Sequence, residues 1–80
     1  MNKSELVNRL QETSFLKDHS KKKVTEFVDH FFNIIATEVA YDEVVSIPGF
    51  GKFYKFTSST TGKKSPKFVA FKDFKESVQG

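Results

Sequence analysis

The sequence predicts an α+β fold: two N-terminal helices, a three-stranded antiparallel sheet and a short C-terminal helix. Three observations carry this expectation. Apolar residues recur at three- and four-residue spacing as far as Val39. Beyond Glu43 they fall into short β-favouring runs broken by Pro48, Gly49 and Gly62. After Ala70 a helical spacing returns, with Phe74 and Val78 on one face. Helices followed by strands, rather than alternating with them, give two packed layers, α on β.

The first helix is expected over Lys3 to about Ser14. Asn2 is a good N-cap and Glu5 follows it by three residues, as in a capping box. Leu6, Val7 and Leu10 form its apolar stripe, and Phe15 and Leu16 are expected to turn inward at its exit. Lys17-Asp18-His19 leads to Ser20, a second N-cap. The second helix runs from Lys21 to Ala40 with Val24, Phe27, Val28, Phe31, Phe32, Ile34, Ile35 and Val39 at helical spacing. A stripe so wide and aromatic suits both the chain's own core and that of a partner.

Tyr41-Asp42-Glu43 breaks the pattern. Val44 to Ile47 reads as a strand stopped by Pro48 and Gly49, and Lys52 to about Ser59 as a second. Residues 58–63 are turn-like. Lys64 to Ala70 reads as a third strand, and its Pro66 suits a sheet edge. Asp73 to Gln79 closes the chain as a short helix.

Composition bounds the function. A chain of 80 residues buries only about 60% of its unfolded surface and needs disulfides, a metal or a partner chain. There is no cysteine, which excludes disulfides and thiolate zinc sites. His19 and His30 are too isolated for a metal site. Ten phenylalanines are a great deal of aromatic surface for this volume, so a partner chain is the expected support. The net charge is +3 and the pI about 9.2, a weak lean towards an acidic partner. The basicity is concentrated in the last third, where Lys52, Lys55, Lys63, Lys64, Lys67, Lys72 and Lys75 are offset only by Asp73 and Glu76.

Other function classes find no support. No apolar run approaches the ~20 residues of a membrane span, and the N-terminus has no signal-like apolar core; a soluble cytoplasmic chain is expected. No serine has a credible His–Asp arrangement around it. Gly49-Phe50-Gly51 is followed by a strand pattern, not the helix a nucleotide site needs. No catalytic residue, cofactor, metal or small-molecule substrate is expected.

Ile47-Pro48-Gly49-Phe50-Gly51-Lys52-Phe53 resembles the Gly-Phe-Gly-x-Phe strand-turn-strand signature of the HU / integration host factor family of bacterial histone-like proteins. Two glycines allow the tight reversal and Phe50 and Phe53 anchor it. The opening Met1-Asn2-Lys3-Ser4-Glu5-Leu6, the Ser20-Lys21 helix entry and the ending Phe68-Val69-Ala70-Phe71-Lys72-Asp73-Phe74-Lys75-Glu76-Ser77-Val78 are similar to that family in order and spacing. The resemblance covers nearly the whole chain outside the arm. It implies one domain over 1–80, with 1–41 as the helical dimerisation part, 44–71 as a β-saddle with a short arm, and 72–80 as the C-terminal helix. It also implies an intertwined homodimer, or a heterodimer with a full-length homologue. In the family, long β-ribbon arms enter the DNA minor groove and a proline at each tip wedges between base steps.

The sequence departs from the family in two places. The family's arm carries Arg-x-Gly-Arg-Asn-Pro; here only Thr61-Gly62-Lys63-Lys64-Ser65-Pro66 stands between the strands, and Pro66 aligns with the proline just before the last core strand. No wedge and little groove embrace are expected. If Phe53 points to the helices, period-two alternation puts Lys55 and Thr57 beside it and Lys52, Tyr54, Phe56 and Ser58 on the DNA side. The family often has basic residues where Phe56 and Ser58 stand. A bulge after Gly51 would reverse this parity.

The resemblance and the charge pattern together name Lys3, Lys52, Lys63, Lys64, Lys67, Lys72 and Lys75 as DNA contacts. Lys3 and Lys72 lie at helix N-termini, where free N–H groups favour phosphate. The same lysines also read as an ordinary solvated face, and Lys21-Lys22-Lys23 more so, since positive charge there opposes the helix dipole. Phe27, Phe31, Phe32, Ile35, Phe50, Phe53 and Phe68 are expected in the core and dimer seam. The expected function is a dimeric, largely sequence-independent double-stranded DNA-binding architectural protein of the bacterial nucleoid or a phage-infected cell, with bending reduced by the short arm. The alternative is an interaction or heterodimerising module with weak or no DNA binding, its saddle residues Tyr54 and Phe56 meeting a protein. A third reading stacks single-stranded nucleic acid on those rings.

Overall fold

A computed structural model describes all residues from Met1 to Gly80. The elements are α1 (Lys3–Gln11), α2 (Lys21–Ala40), β1 (Val45–Ile47), β2 (Gly51–Thr57), β3 (Lys64–Ala70) and α3 (Lys72–Gln79). Two compact units divide the chain, Met1–Ile34 and Ile35–Gly80.

In the first unit the Asn2 side chain accepts the Glu5 N–H at 2.9 Å, the cap expected of it. The helix α1 stops at Gln11, short of Ser14, because Thr13 turns the chain: its hydroxyl donates to the Leu10 carbonyl at 2.7 Å. Hydroxyl side chains compete with helical backbone bonds in this way. The Leu16 N–H then reaches back to the Thr13 carbonyl. That turn brings Leu16 against the buried Val7, Val24 and Val28 and leaves Phe15 exposed, so the expected inward turn is made by Leu16 alone. The Gln11 side chain donates to the His19 carbonyl and closes the loop. The Ser20 hydroxyl accepts the Lys23 N–H at 3.1 Å and opens α2 where the sequence places it.

In the second unit, α2 ends in a left-handed residue. The Glu43 N–H donates to the Glu38 carbonyl and the Asp42 N–H to the Val39 carbonyl, both at 3.0 Å. This is the Schellman pattern, and Asp42, at φ 66°, holds the position glycine usually takes. β1 and β2 are joined by Pro48-Gly49-Phe50: the Phe50 N–H donates to the Ile47 carbonyl at 3.0 Å and Gly49 has φ 77°. Proline then glycine at the centre is the type II turn combination.

The sheet order is β1-β2-β3, antiparallel throughout. Phe53 faces Val45 on one side and Phe68 on the other. Pro66 sits in β3, an edge strand, as expected. Phe68 is the hub of a ring cluster: Phe50 lies 5.2 Å from it, Phe53 4.8 Å and Phe74 6.2 Å, while Phe50 stacks on Phe74 at 4.8 Å and 12°. Gly51 is required beneath this cluster, because a Cβ there would lie 2.5 Å from Phe68 Cζ and from the Val69 carbonyl oxygen.

The residues expected in the core are only partly covered by the single chain. Phe27, Phe31 and Phe32 are 57%, 46% and 51% exposed. Ile35 and Phe53 are half-buried, and Phe50 and Phe68 lie just on the exposed side. The buried large apolar residues are all valines: Val7, Val24, Val28 and Val39. The reason is volume: one short chain cannot surround so many rings.

Candidate nucleic-acid interface

Strand pairing sorts the lysines of the sheet onto two faces. Residues directly opposite in an antiparallel pair share a face. Lys52 pairs with Ser46 and Val69, Tyr54 with Lys67, and Phe56 with Ser65. These form the outer face. Gly51, Phe53, Lys55 and Thr57 alternate onto the other, where Phe53 meets the ring cluster and the Lys55 ammonium reaches the Ala40 carbonyl at the end of α2, 2.7 Å away. Pairing is continuous from Gly51 to Thr57, so no bulge reverses the parity, and the expected placement of Lys52, Tyr54 and Phe56 away from the helix end is observed.

Two cations crown the outer face. Lys52 Nζ lies 5.7 Å from the Tyr54 ring centroid and Lys67 Nζ 5.4 Å from that of Phe56. Alternation along one strand makes the first pair legible in the sequence. The second needed the β2–β3 register, which sets Lys67 opposite Tyr54 and diagonal to Phe56.

The hairpin end carries Lys63 and Lys64. Between the strands lie residues 58–63. The Ser58 N–H donates to the Lys63 carbonyl and the Gly62 N–H to the Ser58 carbonyl, both at 2.9 Å. The Ser58 hydroxyl also accepts the N–H groups of Thr60 and Thr61 at 3.3 Å. Gly62, at φ 72°, supplies the left-handed step. The turn is therefore closed immediately above the last paired residues, Thr57 and Lys64. Proline and arginine are both absent from it.

The remaining lysines lie on helices. Lys72 is the first residue of α3; Phe71 precedes it and caps no N–H with its side chain. The Lys72 ammonium stands 3.8 Å from Glu76, one turn on, in an exposed pair. Lys75 is exposed and borders a shallow groove with Ala70, Phe74 and Val78. Lys3, in the first unit, is tied to Asp29 of α2 at 2.9 Å, and Lys21 donates to the Ser4 hydroxyl at 3.3 Å beside it. The structure thus brings Lys52 with Lys67, Lys63 with Lys64, and Lys72 with Lys75. Lys55, by contrast, faces inward as a helix-end partner, which its residue type alone does not reveal.

No three His, Cys, Asp or Glu side chains are grouped to hold a metal ion, and no helix is long and apolar enough to cross a membrane.

Comparison with known proteins agrees with this geometry. A family model described as bacterial DNA-binding protein matches residues 1–61. The chain is 32% identical over 94 aligned positions to DNA-binding protein HU-beta 2 of Neisseria meningitidis serogroup A, covering all of both chains. It is 43% identical over 53 residues to DNA-binding protein HU of Geobacillus stearothermophilus, covering 66% of this chain and 56% of that one. HU from Thermotoga maritima superposes with a TM-score of 0.76 at 33% identity, over 98% of each chain. The HU chain of the Anabaena HU–DNA cocrystal structure superposes with a TM-score of 0.79 at 26% identity, over 98% of this chain and 97% of that one. By sequence over most of its length and by fold over nearly all of it, this chain belongs to the HU family of bacterial DNA-binding proteins.

Proposed function

We propose that the protein is a dimeric, largely sequence-independent double-stranded DNA-binding architectural protein of the nucleoid type, whose short hairpin bends DNA less than a long-armed HU does. The observation that carries the reading is the closed hairpin: Ser58 caps residues 58–63 directly above the saddle, and no proline stands at the tip to part base steps. The alignment to the Neisseria relative supports it, since its 94 positions exceed this chain's 80 residues by 14. The relative has residues at those positions where this chain has none.

Dimerisation is supported by exposed surface. A folded monomer of 9.2 kDa exposes about 4,900 Å², whereas this chain exposes 6491 Å². The excess, about 1,600 Å², is roughly twice what each side of a standard interface buries. Phe27, Phe31 and Phe32 on α2 are the residues proposed to fill it. In this reading 1–80 acts as one domain, with 1–41 dimerising, 44–71 forming the saddle and 72–80 the flanking helix.

The proposed phosphate contacts are Lys3, Lys52, Lys63, Lys64, Lys67, Lys72 and Lys75. Such contacts fix position without reading sequence. Affinity for a short duplex, followed by fluorescence anisotropy over a salt series, should fall linearly on log–log axes, with a slope near −0.9 per phosphate neutralised. The bend should be smaller than that of a long-armed HU in an end-to-end energy-transfer assay on the same duplex. Equal bending would sink the short-arm reading. A dimer with no duplex affinity at low salt would favour the alternative, an interaction module using the apolar pair Tyr54 and Phe56.

A further inference from the structure

His19, His30 and the Lys21-Lys22-Lys23 run take no part in the proposed DNA contacts, and they surround an open groove of about 310 Å³ in the first unit. Leu16, Val24 and Phe27 form its apolar wall, and His19, Lys23, Glu26 and His30 its rim. Val24 is 1% exposed and Phe27 57%, so the base of the wall is fixed in the core while its edge meets solvent. At about 100° per residue, Lys23, Glu26 and His30 stand roughly 120–180° round α2 from Phe32. A partner chain closing over Phe32 therefore leaves this flank open. Phe27 stands between the two, with the seam on one side and the groove on the other.

The charge around the groove is lopsided. Lys21, Lys22 and Lys23 fill the first turn of α2, which has no acidic residue. Cations at this end oppose the helix dipole, so they do not serve the helix. Lys21 is held by the Ser4 hydroxyl at 3.3 Å. Lys22 and Lys23 make no ion pair, nor does Lys17 in the loop before them. The acidic residues of this stretch are Asp18 and Glu26. Free cations beside an apolar wall ask for a ligand with both carboxylates and apolar side chains. A phosphate backbone has nothing to set against Leu16 and Phe27, whereas burying one leucine of a protein contributes about 1.5–3 kcal/mol. Amphipathic helices dock in grooves in this way, through apolar anchors one turn apart.

We propose that this groove docks an acidic amphipathic helix of another protein, its apolar anchors seated against Leu16 and Phe27 and its carboxylates on Lys22 and Lys23. The site uses none of the lysines assigned to the duplex and does not depend on duplex binding. Its role is to recruit a second protein to the chain.

The chain has two histidines and both line the groove, so their ring C–H signals in an NMR spectrum report on it directly. The probe is a synthetic helical peptide with leucines on one face and glutamates on the other, added to the full chain. It is expected to shift both histidine signals, and poly-glutamate is expected to shift them far less. Replacing one leucine of the peptide by alanine should weaken binding about tenfold. Lys23→Glu should weaken it at least as much, yet hold or raise the unfolding midpoint, because a carboxylate suits the first turn of a helix. That combination separates lost docking from lost folding. Absent peptide binding would overturn the proposal. So would equal shifts with poly-glutamate, which would show a contact of charge alone, or displacement of the peptide by a short duplex, which would give these lysines to DNA. Loss of duplex binding with peptide binding intact would sink the architectural reading and leave this one standing.

Discussion

Lys55 donates to the main-chain carbonyl of Ala40 at 2.7 Å, so a lysine from the middle strand caps the C-terminal end of the long helix. The carbonyls of a helix's last turn lack helical partners, and a cation there also meets the favourable end of the dipole. The same ammonium is 3.5 Å from Asp42, but the two side chains are 19% and 73% exposed. The carbonyl bond is therefore the stabilising half and the ion pair is largely screened. Lys55→Met should cost about 1–2 kcal/mol and Asp42→Asn less than about 0.5 kcal/mol. Urea unfolding at one fixed protein concentration checks both, because a dimer's stability depends on concentration.

The two glycines of the Gly-Phe-Gly turn should respond differently to alanine. Gly49 has open space around it and φ 77°, so Gly49→Ala carries only the left-handed penalty, about 1–2 kcal/mol. Gly51 has ordinary backbone, but its Cβ would meet the Phe68 ring and the Val69 carbonyl at 2.5 Å. The carbonyl is backbone and cannot swing aside. Gly51→Ala should cost more than about 3 kcal/mol through overpacking and a disturbed β2–β3 pairing. Equal unfolding midpoints for the two variants would contradict this account.

Much of this fold was legible because its elements are punctuated. Asn2, Ser20, Pro48-Gly49 and Gly62 mark starts and turns by their own chemistry, and α2 and β3 begin and end where the periodicity places them. What apolarity leaves open is the source of the cover. Apolarity predicts that Phe15, Phe27, Phe31 and Phe32 are covered, but not by which chain. Phe15 also depended on a turn made by Thr13, a hydroxyl bond that leaves no apolar pattern. At the site, alternation gave the face of Lys52 and Tyr54, whereas Lys67 over Phe56 required a register set by non-local pairing. The Lys3–Asp29 pair spans two helices, and no local pattern announces it.

The exposed α2 rings make dimerisation the sensitive point of stability. Phe31 and Phe32 meet edge to face at 5.4 Å and cover one another only in part. Phe32→Asp leaves Val7, Val24 and Val28 untouched, yet it should abolish the dimer in sedimentation analysis and lower the unfolding temperature sharply. A change at a residue half exposed in the single chain should be nearly silent if the chain works alone. A stable, folded Phe32→Asp monomer would therefore count against the interlocked dimer.

Lys3 provides the sharpest separation between a lysine that contacts phosphate and one that is already occupied. Its ammonium is bonded to Asp29 at 2.9 Å in an exposed pair, and exposed pairs are worth little. A phosphate could capture the lysine, but only by leaving Asp29 beside it as a repelling charge. Asp29→Asn should therefore raise duplex affinity, by several-fold at low salt, and steepen the log–log salt slope by up to about 0.9 as Lys3 becomes fully available. Lys3→Gln should have a smaller effect than Lys63→Gln or Lys64→Gln, whose ammonium groups make no side-chain ion pair within this chain. An unchanged slope in Asp29→Asn, together with an unchanged affinity in Lys3→Gln, would place Lys3 outside the interface and confine the phosphate contacts to the sheet, hairpin and last helix.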